Sequence, residues 1–324
     1  MKLSFFLLTL FISQLSFSAT QVKIAALIPE GTSWGNSIKK FAKEVGTATK
    51  GEVDVKVYYG GVAGDEPDVL RKIRIGQLHG GVFTGKTLAE IYPDVRVMEI
   101  PFTFHGDQKK AGKVMSDLTP KFNAGLKQKG FVNLGFYELG MVYIVSTKKA
   151  ANLEELKGLK SWAWEGDELS RSLIESMELL SVPLALPDVL TSLSTGIINA
   201  AYAPPLGILA LQWHTKIKYL VDMPTTFSIG ALLLSDKVWS KLTPAHQKLV
   251  QEIAAKYVKE ANDKSMIENE EARAQMKKAG IEFISFPASD LKKANVLRDS
   301  VIKKVSGKIM SPQMIQELDK AVKK

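Results

Sequence analysis

Thr243-Pro244 opens a helical pattern that runs to about Lys278 and stops at Gly280. Threonine is a good N-cap, proline suits the first helical position, and glycine closes helices in the left-handed conformation. At 1.5 Å per residue the helix is expected to be about 50 Å long, longer than a single lobe normally needs. A rod of that length must lie across two packed units. The 324 residues also suffice for two domains of ordinary size.

Ahead of this helix, strand and helix patterns alternate, which argues for α/β architecture. Val22 to Ile28 is an apolar strand, and Trp34, Ile38, Phe41, Ala42 and Val45 fall at helical spacing. Val53, Val55, Val57 and Tyr59 alternate as a half-buried strand. After the loop Gly60–Asp65 comes a helix through Val69, Leu70 and Ile73, then a short buried strand from Gly80 to Gly85. Val95 to Phe104 is read as extended and broken by Pro101. Gly140–Ser146 and Ile229–Ser235 are apolar runs between different α/β segments, and both are expected to cross between lobes. The predicted division is residues 20–142 plus 229–258 in lobe one and 143–228 plus 259–324 in lobe two.

The N-terminus reads as a secretory signal. Lys2 precedes an apolar run to Phe17, and small residues place cleavage near Ser18 or Ala19. The run is too short for a stable membrane span. Without cysteine the chain can be neither disulfide-stapled nor lipid-anchored through an N-terminal Cys. These features predict an exported, periplasmic protein that does not itself span the membrane. The formal charge of +9 is spread along helix faces without basic blocks, so no nucleic-acid surface is expected.

Several motifs invite other readings. Gly80–Thr87 fits the phosphate-loop pattern G-x-x-x-x-G-K-[ST], yet a polar helix precedes it and Val82-Phe83 read as the strand itself. Gly31-Thr32-Ser33-Trp34-Gly35 matches the nucleophile elbow G-x-S-x-G, but too little chain precedes it to build an oxyanion hole. Ser33 is read more simply as a helix N-cap or a residue at a pocket lip. The four histidines are scattered, so neither a metal nor a cofactor is expected.

Residues 158–167, Gly-Leu-Lys-Ser-Trp-Ala-Trp-Glu-Gly-Asp, carry more specific information. Side chains alternate along a strand, so Trp162 and Trp164 share one face. A polar turn and a helical pattern follow (Leu169, Leu173, Ile174, Met177). Strand, turn and helix is where open α/β sheets bind ligands. The two indoles are therefore either core or the wall of a pocket.

Taken together, the mature chain resembles the substrate-binding receptors of tripartite ATP-independent periplasmic (TRAP) transporters. The phrases that carry the resemblance are Gly60–Pro67, Leu156–Lys160, Leu190–Gly196 and Leu242-Thr243-Pro244. It implies a two-lobe periplasmic binding protein, α/β in class, with hinge strands and a long helix spanning both lobes. It also implies a non-enzymatic receptor that delivers a small organic ligand to membrane permease subunits. C4-dicarboxylate receptors of this family usually carry an arginine two residues after Gly-Leu-Lys, where this chain has Trp162, and often an asparagine where it has Ala203. An arginine makes bidentate, charge-assisted bonds to a carboxylate, whereas an indole offers one N–H and an apolar face.

Candidate lining residues from lobe one are Glu30, Trp34, Thr84, Phe102 and Phe104, with Tyr137 and Glu138 ahead of the first crossing. Lobe two offers Trp162, Trp164, Glu165, Asp167, Tyr202, Pro204 and Trp213. Arg71, Arg74 and Arg96 are placed on polar faces. With no guanidinium in the cleft, and with Glu30, Glu165 and Asp167 repelling anions, the expected ligand is apolar or aromatic rather than a dicarboxylate. The alternatives are a receptor for a small amine or organic acid, and an exported hydrolase using Ser33.

Overall fold

The computed structural model describes residues 19–324; the leader read at residues 1–18 lies outside them. The chain begins β1 (Thr20–Ala26), α1 (Ser33–Ala48), β2 (Val53–Tyr58), α2 (Glu66–Arg74), β3 (Gly80–Thr84) and α3 (Gly85–Ile91). A 3-10 helix at Pro93–Glu99, α4 (Gln108–Gln128) and the long strand β4 (Phe131–Ser146) follow. Next come α5 (Leu153–Leu156), β5 (Lys160–Trp164), α6 (Glu168–Ser176), β6 (Leu180–Leu184) and α7 (Val189–Thr195). Then β7 (Ala200–Ala203), α8 (Pro205–Ala210), β8 (Tyr219–Val221), β9 (Thr226–Ser235) and α9 (Asp236–Trp239) lead to α10 (Pro244–Lys278). The chain closes with β10 (Glu282–Ile284), α11 (Ala288–Val305) and α12 (Pro312–Val322).

The strands lie in the order β2-β1-β3-β9-β4-β7-β5-β6, with β8 beside β4 and β10 beside β8. β4 serves two ladders. Residues 131–142 pair antiparallel with β9, and residues 143–146 pair with β7. The first half of the sheet therefore holds β1, β2, β3 and β9, and the second β5, β6, β7, β8 and β10. Gly140–Ser146 is the segment where β4 changes partner, as expected of a crossing. Ile229–Ser235 is different: it is flanked by β3 and by β4 and lies inside the first half. A strand buried on both faces reads as uniformly apolar, so its composition cannot separate a central strand from a connector.

Helix α10 starts with Thr243 as N-cap, its side chain accepting from His246 N, and ends before Gly280. It packs on α1, on β4 and on α8, spanning both halves. Its contact with β4 is polar as well as apolar. The Asn262 amide donates to Phe136 O and its Oδ1 accepts from Glu138 N. Ser265 Oγ donates to Glu138 O, and the Asn269 amide donates to Leu139 O. These bonds satisfy backbone groups beside the irregularity in β4 at Glu138/Gly140, and at the other irregularity, Asn133/Gly135, Gln251 Nε2 donates to Leu134 O. Beyond α10, α11 packs on α6, whereas α12 returns to α4 and the 3-10 helix.

The stretch read as extended, Val95–Phe104, is the 3-10 helix and a turn. Val95 through Ile100 are all buried, Arg96 and Glu99 included. A segment surrounded on all sides leaves no alternation to read. Among the described residues, no helix is long and apolar enough to cross a membrane.

Candidate functional site

The strand ends of both halves enclose a cavity of about 190 Å³. An apolar cavity of about 150 Å³ accommodates benzene, so the space suits a molecule built on one small ring or a short chain. Its wall is mainly apolar, and aromatic on the β5 side. Trp162 stacks on Tyr202 with ring centroids 4.8 Å apart, and meets Trp164 at 5.7 Å and Trp213 edge-on at 5.4 Å. Both strand indoles spend their N–H groups within the protein: Trp162 Nε1 donates to Leu184 O (3.0 Å) and Trp164 Nε1 to Asp65 Oδ2 (3.0 Å). They therefore present faces rather than donors to the cavity. On the opposite side Trp34 also lines it, and its buried Nε1 has no hydrogen-bond partner.

Charged groups enter from the first half. Arg96 is buried and lines the cavity, with Nη1 2.7 Å from Glu99 Oε2 and Nη2 2.5 Å from Asp167 Oδ2. Glu99 also accepts from Ile229 N at 2.9 Å. Burial pushes the Glu99 carboxyl up, against the pull of Arg96. Lys86, also buried in the wall, pairs with Glu90 at 2.8 Å. Glu66 accepts from the Thr84 amide (3.0 Å) and from its hydroxyl (3.0 Å), and burial pushes its carboxyl up to about 7.

Two N-cap aspartates tie the halves together in the same manner. Asp65 Oδ1 accepts from Glu66 N at the start of α2, while Oδ2 receives the Trp164 indole from the other side. Asp167 Oδ1 accepts from Leu169 N and Ser170 N at the start of α6, while Oδ2 receives Arg96. In each case one oxygen caps a helix and the other reaches across.

Of the residues singled out in the sequence, Trp34, Thr84 and Tyr137 line the cavity from the first half. Trp162, Trp164, Asp167, Tyr202, Pro204 and Trp213 line it from the second. Five do not. Glu30 is exposed and pairs with Lys39 at 2.9 Å, and Glu165 sits in the exposed turn after β5. Phe102 and Phe104 are buried in the core, Phe104 edge-on to Phe227, because the chain turns at Phe102 with φ of 56° instead of staying extended. The Glu138 carboxylate lies over Gly112 of α4.

The arginine expectation is overturned. Arg71 and Arg74 are exposed, but Arg96 supplies a guanidinium to the cavity. With Glu30 and Glu165 at the surface, two of the three expected sources of anion repulsion are gone. Asp65, Glu66 and Glu99 were missed as well. Asp65-Glu66 lay within a phrase that carried the resemblance, and Arg96 and Glu99 were the charged residues in an otherwise apolar run.

The tempting motifs resolve into packing. Gly80 and Gly81 are within β3, where a Cβ would collide with the β9 backbone and with Phe83 respectively. They make close approach between strands possible, not a phosphate nest. In the Gly31–Gly35 turn it is Thr32 that caps α1. Ser33 Oγ is buried without a hydrogen-bond partner, so no base activates it.

A cavity between two α/β halves, walled by strand ends of both and spanned by one helix, defines a two-lobe ligand-binding protein. Residues 24–308 match the family described as bacterial extracellular solute-binding protein, family 7, and the chain belongs to it. Members are bacterial extracellular solute-binding proteins, and TRAP periplasmic solute-binding proteins share the fold. A solute-binding protein of Chromohalobacter salexigens is 25% identical over 233 residues, covering 70% of this chain and 67% of that one. The sugar acid binding protein DctPAm of Advenella mimigardefordensis, solved with galactonate, superposes with a TM-score of 0.87 at 18% identity, covering 94% of this chain and 97% of its own. A TRAP periplasmic solute-binding protein of Desulfovibrio salexigens, solved with orotic acid, gives 0.84 at 18%, covering 94% and 99%.

Proposed function

We propose that this receptor captures a small organic acid with an apolar or aromatic body and delivers it to its permease. The observation that carries the reading is Arg96, a buried guanidinium in a mainly apolar cavity. A guanidinium is the side chain best suited to a carboxylate, and the stacked indoles suit a flat or apolar body better than a polyol. The relatives solved with galactonate and with orotic acid also hold acids, which supports the charge of the ligand though not its body. Within the cavity, the unpartnered Trp34 N–H is the donor for a ligand acceptor, and Trp162 and Tyr202 form the apolar wall.

Lobe one comprises 20–142 plus 229–258, joined by α12, which packs on it, and lobe two comprises 143–228 plus 259–311. The lobes close over the ligand by hinge bending, as two-lobe binding proteins do. The leader is removed near Ser18 or Ala19, and the mature protein acts in the periplasm without catalysing a reaction.

Mass spectrometry of ligand carried through native purification, followed by calorimetry, tests the proposal. An aromatic monocarboxylate such as benzoate is expected to bind more tightly than succinate or malate, and benzylamine not at all. Tighter binding of succinate, or of the amine, overturns it.

A further inference from the structure

The ion pair between Arg96 and Asp167 joins the 3-10 helix of the first half to the start of α6 in the second, and both side chains are buried in the cavity wall. One guanidinium thus serves two carboxylates, Glu99 and Asp167. A third carboxylate, brought by a ligand, would add uncompensated negative charge in a poorly solvated site, which is strongly unfavourable. One of the resident carboxylates must give way.

The two are not held alike. Glu99 lies on the same 3-10 helix as Arg96, accepts from Ile229 N, and presses its carboxylate against Gly85 so closely that a side chain there would collide with it. Asp167 can leave Arg96 and keep partners on both oxygens. Its Oδ1 retains Leu169 N and Ser170 N, and its Oδ2 retains the Ser170 hydroxyl at 2.5 Å. Displacing Asp167 therefore strands no buried acceptor, whereas displacing Glu99 would.

We propose that Asp167 is an internal competitor for Arg96 that sets the receptor's selectivity: a ligand's carboxylate binds by displacing it. This rests on the organic-acid reading of the cavity. An anion already tethered beside Arg96 raises the threshold that any acid must pass. A ligand with a carboxylate alone gains little, because it replaces one ion pair with another. An acid whose body also fills the aromatic wall has the additional apolar contact needed to win. The same pair bridges the halves, so Asp167 also favours the closed arrangement until a ligand takes its place.

The experiment uses the mature chain and its Asp167→Asn variant, since asparagine keeps the α6 cap and loses the charge. Asp167→Ser, another N-cap residue, serves as the second variant. Calorimetry with benzoate and with its neutral counterpart benzamide separates charge from shape. The variants are expected to bind benzoate about ten-fold more tightly or better, with benzamide affinity little changed. X-ray scattering without added ligand is expected to show a larger radius for the variants than for the wild type. Weaker benzoate binding in both variants, or equal gains for benzoate and benzamide, overturns the competitor role. If neither wild type nor variants bind benzoate while benzamide binds, the organic-acid reading falls. Scattering then still decides the bridge, and an unchanged radius rejects it.

Discussion

The two walls of the cavity are built from different chemistry. The first half contributes Glu66, Lys86, Arg96 and Glu99, and the second contributes Trp162, Trp164, Tyr202 and Trp213, with Asp167 as its charged member. On the charged wall each ionic group already has a partner within the protein, while on the aromatic wall Trp162 and Trp164 turn their donors away and offer ring faces. On the proposed reading, charge recognition falls mainly to the first half and shape recognition mainly to the second, although Trp34 and Tyr137 add apolar surface from the first. Neither wall alone encloses a ligand, so affinity depends on bringing them together. The resemblance to C4-dicarboxylate receptors implies an arginine at position 162, on the second half. This chain has an indole there and a guanidinium on the opposite side.

Removing the guanidinium is the severest test of this division. Arg96→Ala leaves Glu99 and Asp167 buried without their counter-charge, and is expected to lower stability by about 3–5 kcal/mol, measured by urea denaturation. Benzoate binding should disappear while benzamide binding in the surviving folded protein persists; retained benzoate affinity would break the comparison. Trp162→Ala attacks the other wall. It removes the ring that meets Tyr202, Trp164 and Trp213, with an expected loss of about 3 kcal/mol on denaturation. Here calorimetry should record equal losses for acid and amide, because shape serves both; a loss confined to the acid would assign charge recognition to the aromatic wall.

The smallest expected effect concerns Glu66, whose carboxyl moves from an ordinary 4.5 to about 7 through burial. Below pH 4.5 the group is neutral in folded and unfolded chains alike. As pH rises from there, the unfolded chain releases its proton first, so this group's contribution to stability falls away and is lost once pH passes about 7. At about 1.4 kcal/mol per pKa unit the decline amounts to about 3 kcal/mol at most. Glu66→Gln should flatten the stability profile between these limits, as read by denaturation at several pH values. An unchanged profile would mean that Glu66 is not held in the low-dielectric setting the charged wall implies.

Much of the frame was legible before the structure. Thr243, Pro244 and Gly280 carry their own local signals, and α10 begins and ends where they put it. The shared face of Trp162 and Trp164 follows from strand geometry alone. The charged wall was not legible, for a tertiary reason. Arg96 and Glu99 are taken inside by packing from several distant segments, among them β9 through Ile229 and α6 through Asp167. Local pattern assigns lone charges to solvent, because burying one without a partner is prohibitive, and the partner here lies 71 positions along the chain. The same blindness placed Phe102 and Phe104 at a strand end, when a left-handed turn at Phe102 directs the chain into the core.

The bulged centre of β4 has a mechanical consequence for the proposed closure. Gly140 has a φ of 114° and its Cα faces Asn269, whose amide would lie 2.6 Å from any added Cβ; Gly135 is similarly crowded by Val258. A strand shared by both ladders cannot slide against itself, so a change in angle between the halves must be absorbed as torsion in this short stretch. Asn262, Ser265 and Asn269 lash that stretch to a 35-residue rod. On the proposed closure, the joint would act as a flexure fixed to a beam, with the backbone torsions of this short stretch taking up the change in angle. On that reading, Arg96 and Asp167 would come back into register whenever the cleft shuts without ligand.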